Sequence, residues 1–198
     1  MALPGRIFVV SAPSGTGKTT VLKRLLERRP ELVYSVSATT RAPRPGEVHG
    51  KDYFFLSPEE FHKKVDEDGF AEWAEVHGNL YGTPETFLET QISRGKDVLL
   101  AIDTQGAFQL KKRHPEAVLI FLAPPSFEEL ERRLRARQTE SEDVAQRRLE
   151  VAKKELELKH RYDHIVVNDD IDGAARRIEM IIDREKAREE RSPVHAPG

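Results

Sequence analysis

The sequence contains no cysteine, which excludes a disulfide framework and any metal site built on thiolates. No apolar run approaches the roughly 20 residues that a membrane-crossing helix needs. Neither sign of charge dominates: 32 Lys and Arg face 34 Asp and Glu, a formal net charge of −2. There is thus no global pull toward nucleic acid or a membrane surface. Nothing at Met1–Gly5 resembles a signal peptide. These absences lead us to expect a soluble, cytoplasmic protein, with no nucleic acid and no membrane as partner. Its 198 residues suit one domain with elaborations, or a core with inserted subdomains.

What is present is concentrated at residues 7–20, Ile-Phe-Val-Val-Ser-Ala-Pro-Ser-Gly-Thr-Gly-Lys-Thr-Thr. A β-branched apolar run reads as a buried strand, breaks into a Gly-containing loop, and enters a helix with Val21, Leu22, Leu25 and Leu26 on one face. Strand, loop and helix in that order are what a phosphate-binding loop needs. Gly15 and Gly17 allow backbone conformations in which successive N–H groups turn inward around an anion. Lys18 is spaced to reach the β- and γ-phosphates, and Thr19 to ligate Mg²⁺. The usual first glycine of the G-x-x-x-x-G-K-[ST] pattern is replaced by Ala12. The plainer reading is a strand–helix turn with a surface lysine.

Further runs at 98–102, 118–122 and 165–167 read as buried parallel strands separated by helices, which predicts an α/β fold; 34–38 is a fifth candidate. Residues 39–82 read as a small α+β insert. It opens on the basic Pro turn 41–46 and has a short strand at Tyr53-Phe54-Phe55. A helix capped by Ser57 and Glu60 follows, then a hairpin from Phe70–Val76 to Leu80-Tyr81. Residues 126–158 read as two helices capped by Ser126 and Ser141, rich in arginine and short of apolar anchors. They suit either a mobile lid or a solvated, ion-paired hairpin. A final helix is expected from 172 toward 187 and disorder over 188–198. Asp103 follows a buried strand, where it serves either as a helix cap or as the carboxylate that holds Mg²⁺, directly or through water. His160 and His164, at i,i+4 spacing, read as structural.

Seven motifs resemble guanylate kinases in order and spacing. They are residues 11–19, Ser37–Glu47 (Ser-Ala-Thr-Thr-Arg-Ala-Pro-Arg-Pro-Gly-Glu), 50–53 (Gly-Lys-Asp-Tyr), 81–83 (Tyr-Gly-Thr), 102–106 (Ile-Asp-Thr-Gln-Gly), 124–126 (Pro-Pro-Ser) and 167–170 (Val-Asn-Asp-Asp). The resemblance covers residues 6 to about 185 and implies a P-loop parallel sheet flanked by helices. It divides the chain into a core (4–36, 91–125 and 159–187), a GMP-binding region (37–90) and a lid (126–158). The activity that the resemblance implies is Mg²⁺-dependent transfer of the ATP γ-phosphoryl group to GMP, and to dGMP, with these small molecules as substrates and no obligatory protein partner.

By the same resemblance, Arg41, Arg44, Tyr53 and Tyr81 grip the GMP phosphate, and Glu72, Ser37, Thr83 and Asp103 complete the GMP site. A carboxylate at Glu72 accepts from guanine N1–H and the exocyclic amine, whereas adenine meets it acceptor against acceptor. Thr83, before Pro84, also reads as a plain helix cap. On the ATP side the resemblance assigns Ala12, Pro13, Ser14, Gly15, Thr16, Gly17, Lys18, Thr19 and Thr20, with Arg133 and Asn168 at the adenine. Lys18, Arg41, Arg137 and Arg148 are the implied catalytic cations. Many relatives carry an acid where this chain has Ala101. The rival readings are a non-catalytic guanylate-kinase-like interaction module and a P-loop kinase acting on another phosphorylated small molecule.

Overall fold

The computed structural model describes residues 4–76, 78–136 and 142–191, except for the side chains at 142, 143, 145 and 189–191. The fold is a parallel β-sheet core flanked by helices, with a second, smaller sheet. Its contacts separate two compact units: one takes the described residues up to Ala12 with Pro30–Leu119, the other Pro13–Arg29 with the described residues from Ile120 on.

In the first unit, β1 (Ile7–Ser11) is buried throughout, as its unbroken apolar run requires of a strand covered on both faces. It pairs in parallel with β7 (Val98–Leu100), which pairs in parallel with β2 (Val33–Tyr34). The expected strand at 34–38 is therefore corrected. Tyr34 ends a strand of this sheet, whereas β3 (Ala38–Thr39) belongs to the other, and the chain crosses between them over 35–37. The strand expected at 98–102 also ends earlier, at Leu100.

The smaller sheet runs β4 (Phe54–Phe55), β3, β6 (Asn79–Pro84), β5 (Phe70–Val76). β3 is parallel to β4 and antiparallel to β6, and β5 and β6 form the expected hairpin, with His77 of its turn outside the described residues. Side chains alternate between the two faces. On one face Ala38, Phe61 and Phe70 pack with Phe54, Leu56, Val65 and Leu80. Phe61 comes from α2 (Pro58–Asp66), which opens on the expected capping box: Ser57 accepts from the Glu60 N–H and Glu60 reaches back to the Ser57 N–H.

The other face presents Thr39, Tyr81 and Thr83, paired through the same ladder. Strict alternation along β5 would put Glu72 on the apolar face beside Phe70. The register shifts between these two residues, so Phe70 pairs with Pro84 and Glu72 with Thr83. One extra residue, Ala71, turns Glu72 to the polar face.

β5 is an edge strand, and α4 (Thr104–Arg113) supplies the backbone partners it lacks. Gln109 accepts from the Trp73 N–H at 3.3 Å and donates to the Trp73 carbonyl at 2.9 Å, and Arg113 donates to the Phe70 carbonyl at 2.9 Å. Gly106, Gln109 and Arg113 stand at i, i+3 and i+7, one helical face. Between β6 and β7 lies α3 (Glu85–Ser93).

In the second unit, β8 (Val118–Ala123) pairs in parallel with β9 (His164–Val167) from Ile120 on. Helix α1 (Lys18–Arg28) packs against α7 (Ile171–Arg191), joined by Arg24–Asp172, Arg28–Glu179 and Arg29–Asp183 pairs. The last helix thus runs past the 187 expected for it and into the stretch expected to be disordered; residues 192–198 lie outside the described residues.

Helices α5 (Phe127–Arg135) and α6 (Glu142–Glu157) share an apolar seam of Leu130, Leu134, Leu149 and Ala152, flanked by Phe127 and Leu156. This corrects the expectation of a hairpin short of apolar anchors: its leucines were masked by the surrounding arginines. Ser126 caps α5 as expected, accepting from the Glu129 N–H. The Glu129 carboxylate goes to Arg132 and Arg133, which hold its carboxyl down at about 2. Ser141 lies outside the described residues.

Candidate functional site

The loop after β1 has the backbone that its glycines predict. Gly15 (φ 86°) and Gly17 (φ 94°) are left-handed, and Gly17 is the N-cap of α1 with no side-chain cap bond. The loop is also held from outside. Asn168, 3% exposed, donates through Nδ2 to the Thr16 carbonyl at 2.7 Å, and Arg133 Nη1 donates to the same oxygen at 3.4 Å. A methyl group at Gly17 would meet Asn168 Nδ2 at 2.9 Å, and one at Gly15 would meet Leu134 Cδ2 at 2.9 Å. Lys18 is half-buried, and Thr19 and Thr20 are exposed in the first turn of α1. Pro13 is buried and Ser14 exposed.

Arg133 and Asn168, assigned to the adenine by resemblance, thus both brace the loop. Arg148 is half-buried on α6. Arg137 lies outside the described residues.

In the first unit, most of the residues expected at the acceptor gather on the polar face of the small sheet. The Arg41 guanidinium lies 5.4 Å from the Tyr53 ring centroid and 5.9 Å from that of Phe55, and the Tyr53 and Tyr81 rings are 6.1 Å apart, edge to face. Arg41 Nη2 donates to both Glu47 oxygens, at 2.9 and 3.0 Å, and Nη1 to the Ala42 carbonyl at 2.8 Å. Glu47 also accepts from the Arg44 N–H at 2.7 Å. These contacts, Arg41 first, hold the Glu47 carboxyl below its ordinary value, and Glu47 in turn raises that of Arg41. Burial, then the neighbouring Tyr81, pushes the Tyr53 hydroxyl up, so Tyr53 stays a neutral donor. The Arg44 side chain is exposed, and the Ser37 carbonyl accepts from the Phe54 N–H.

Glu72 is 5% exposed and accepts from the Thr83 hydroxyl at 2.6 Å. The reading of Thr83 as a plain helix cap is corrected. Pro84 is the N-cap of α3 and has no side-chain bond to give, while the Thr83 hydroxyl turns into the sheet. Asp103 caps α4, its Oδ1 accepting from the Gly106 N–H at 2.7 Å. Ala101 lies just past the end of β7, half-buried.

His160 and His164 are occupied elsewhere, by the Glu157 carbonyl and the Glu185 carboxylate. No group of three or more His, Cys, Asp or Glu is placed to hold a metal among the described residues.

Sequence reasoning gave no role to Glu47, Gly106 or Gln109. The available signals were an acid closing a basic Pro turn, and a glycine inside a helix where almost any residue is a better helix former.

The family model described as guanylate kinase matches residues 4–185. A curated guanylate kinase of Geobacter sulfurreducens is 50% identical over 188 residues, 95% of this chain and 93% of the relative. One of Prochlorococcus marinus is 53% identical over 176 residues, 89% of this chain and 96% of the relative. The crystal structure of a guanylate kinase from Anaplasma phagocytophilum is similar at a TM-score of 0.75 and 39% identity, with 97% of each chain covered.

Proposed function

Because the chain belongs to the guanylate kinase family, a family of nucleotide-binding transferases, we propose that it moves the γ-phosphoryl group of ATP to the phosphate of GMP, and of dGMP. The products are ADP and GDP. The observation that carries the acceptor assignment is the buried Glu72–Thr83 pair, on the same sheet face as Tyr81. A hydroxyl that donates to Glu72 turns one carboxylate oxygen into a fixed point from which guanine N1–H and its amine are read. Charge-assisted hydrogen bonds contribute roughly 1.5–3 kcal/mol each, so adenine forfeits enough to be strongly discriminated against.

Arg41, Arg44, Tyr53 and Tyr81 bind the acceptor phosphate. Two guanidinium groups match its charge, and two phenols add neutral donors. Ser37 and Thr83 complete the recognition of the base, and Asp103 completes the GMP site. The loop from Ala12 to Thr20 with Lys18 holds the ATP phosphates, and Asn168 and Arg133 keep the loop in shape beside the adenine.

Mg²⁺ binds few protein oxygens and keeps water and substrate phosphates as its remaining ligands. The Thr19 hydroxyl, and Asp103 through water, offer that donor chemistry. When bound, Mg²⁺ neutralises phosphate charge. The acceptor oxygen is already ionised, so no strong general base is needed. Catalysis is alignment plus charge neutralisation by Lys18, Arg41, Arg137 and Arg148. Helices α5 and α6 form the lid that keeps water from the transferring group.

Bacterial curated relatives at about half identity favour catalysis over an interaction module. An ADP-release assay with Mg·ATP and GMP, dGMP, AMP, CMP or UMP tests the proposal. Turnover is expected with GMP and dGMP and to be lower by orders of magnitude with AMP. Equal use of AMP and GMP rejects it, and lack of any turnover supports the interaction module.

A further inference from the structure

Gly106 sits in the first turn of α4 with an ordinary helical backbone, since it is absent from the glycines at positive φ. Its lack of a side chain is therefore not a conformational requirement. It is a requirement for space. A Cβ built there would fall inside the contact distance of Glu72 Oε2, 3.0 Å from Glu72 Cδ and 3.3 Å from Asp103 Oδ1. The Glu72 carboxylate rests where a methyl group would otherwise be.

The opposite side of that carboxylate is also fixed. Thr83 donates to Oε1 at 2.6 Å. The α4 face behind Gly106 is locked to β5 by the paired Gln109–Trp73 bonds and by the Arg113 bond to the Phe70 carbonyl. Helix and strand thus form one rigid gauge, with Glu72 seated between Thr83 and Gly106. The N-terminal turn of α4 also favours a negative charge at that place.

We propose that Gly106 is a positioning residue for acceptor specificity: its missing side chain sets where the Glu72 carboxylate stands, and through it the choice of guanine over adenine. This rests on the reading of Glu72 as the group that recognises the base.

The test compares the full chain with Gly106→Ala, Glu72→Ala and the double variant, measuring KM and kcat for GMP and AMP, KM for ATP, and thermal unfolding. Gly106→Ala is expected to raise the KM for GMP by about tenfold or more and to cut the GMP-to-AMP ratio in parallel, with the KM for ATP unchanged. In the Glu72→Ala background, where the methyl group has room, the same change should alter the KM for GMP by less than about twofold. A Gly106→Ala protein with wild-type GMP kinetics overturns the proposal, as does an equal loss in both backgrounds. If Gly106→Ala does not fold, a folded double variant still identifies Glu72 as the group it displaces, and an unfolded one overturns the proposal. A Glu72→Ala protein that retains the full preference for GMP overturns instead the reading of Glu72 itself.

Discussion

The Asn168 side-chain amide donates to the main-chain carbonyl of Thr16 at 2.7 Å, joining points 152 residues apart in sequence. The bond is buried, and a phosphate-binding loop needs such a brace. Its inward N–H groups are useful only if the peptide planes stay turned, and Gly15 and Gly17 do not restrain themselves. Asn168→Ala is expected to cost about 1–3 kcal/mol in stability, because the buried Thr16 carbonyl loses its short bond and keeps only the long one from Arg133 at 3.4 Å. The KM for ATP should rise while that for GMP changes little. Asn168→Asp, which sets acceptor against acceptor, should lose more. Thermal unfolding and initial-rate kinetics check both.

Glu47 engages only Nη2 of Arg41, while the Ala42 carbonyl takes Nη1. The two contacts aim the guanidinium beside the Tyr53 ring. Glu47→Gln should weaken that aim and raise the KM for GMP by about three- to tenfold, with a smaller effect on kcat. A lower KM in this variant would mean that the carboxylate competes with the acceptor phosphate for Arg41.

Glu185, 8% exposed on α7, lies 3.0 Å from His164 Nε2 on β9 and 3.2 Å from Arg188 Nη1. Burial pushes its carboxyl up, but the contacts with His164 and Arg188 outweigh that and leave it below the ordinary value of 4.5. A carboxyl depressed in the folded state stabilises fully above its unfolded value and loses that contribution as pH falls through its folded value. Glu185→Gln should therefore be less stable than wild type at neutral pH, by about 1 kcal/mol. The gap should close below pH 4.5 as the wild-type carboxyl takes up its proton. Unfolding temperatures of the two proteins from neutral to acid pH decide this.

The strands of the core were legible because buried parallel strands are written as continuous apolar runs, as in Val118–Ala123. The α2 cap was legible because Ser57 and Glu60 act over three residues. Loop glycines and Lys18 were legible for the same reason: their chemistry is local.

What was hidden is not local. Period-two reasoning puts Phe70 and Glu72 on one face, and only the pairing of Phe70 with Pro84 reveals the extra residue that separates them. Gly106 looks like a poor helix residue until Glu72, 34 positions earlier in the chain, is seen resting on it. The leucines of α5 and α6 were outnumbered by charge, and their seam appears only when the two helices are placed side by side.

The clasp of Gln109 and Arg113 on β5 has an effect unrelated to chemistry. An open sheet margin invites other chains to add themselves to it. Damage at Gln109 would thus surface as clumping and poor yield, whereas damage one turn earlier, at Gly106, would surface as an enzyme that stays in solution and mistakes one purine for another.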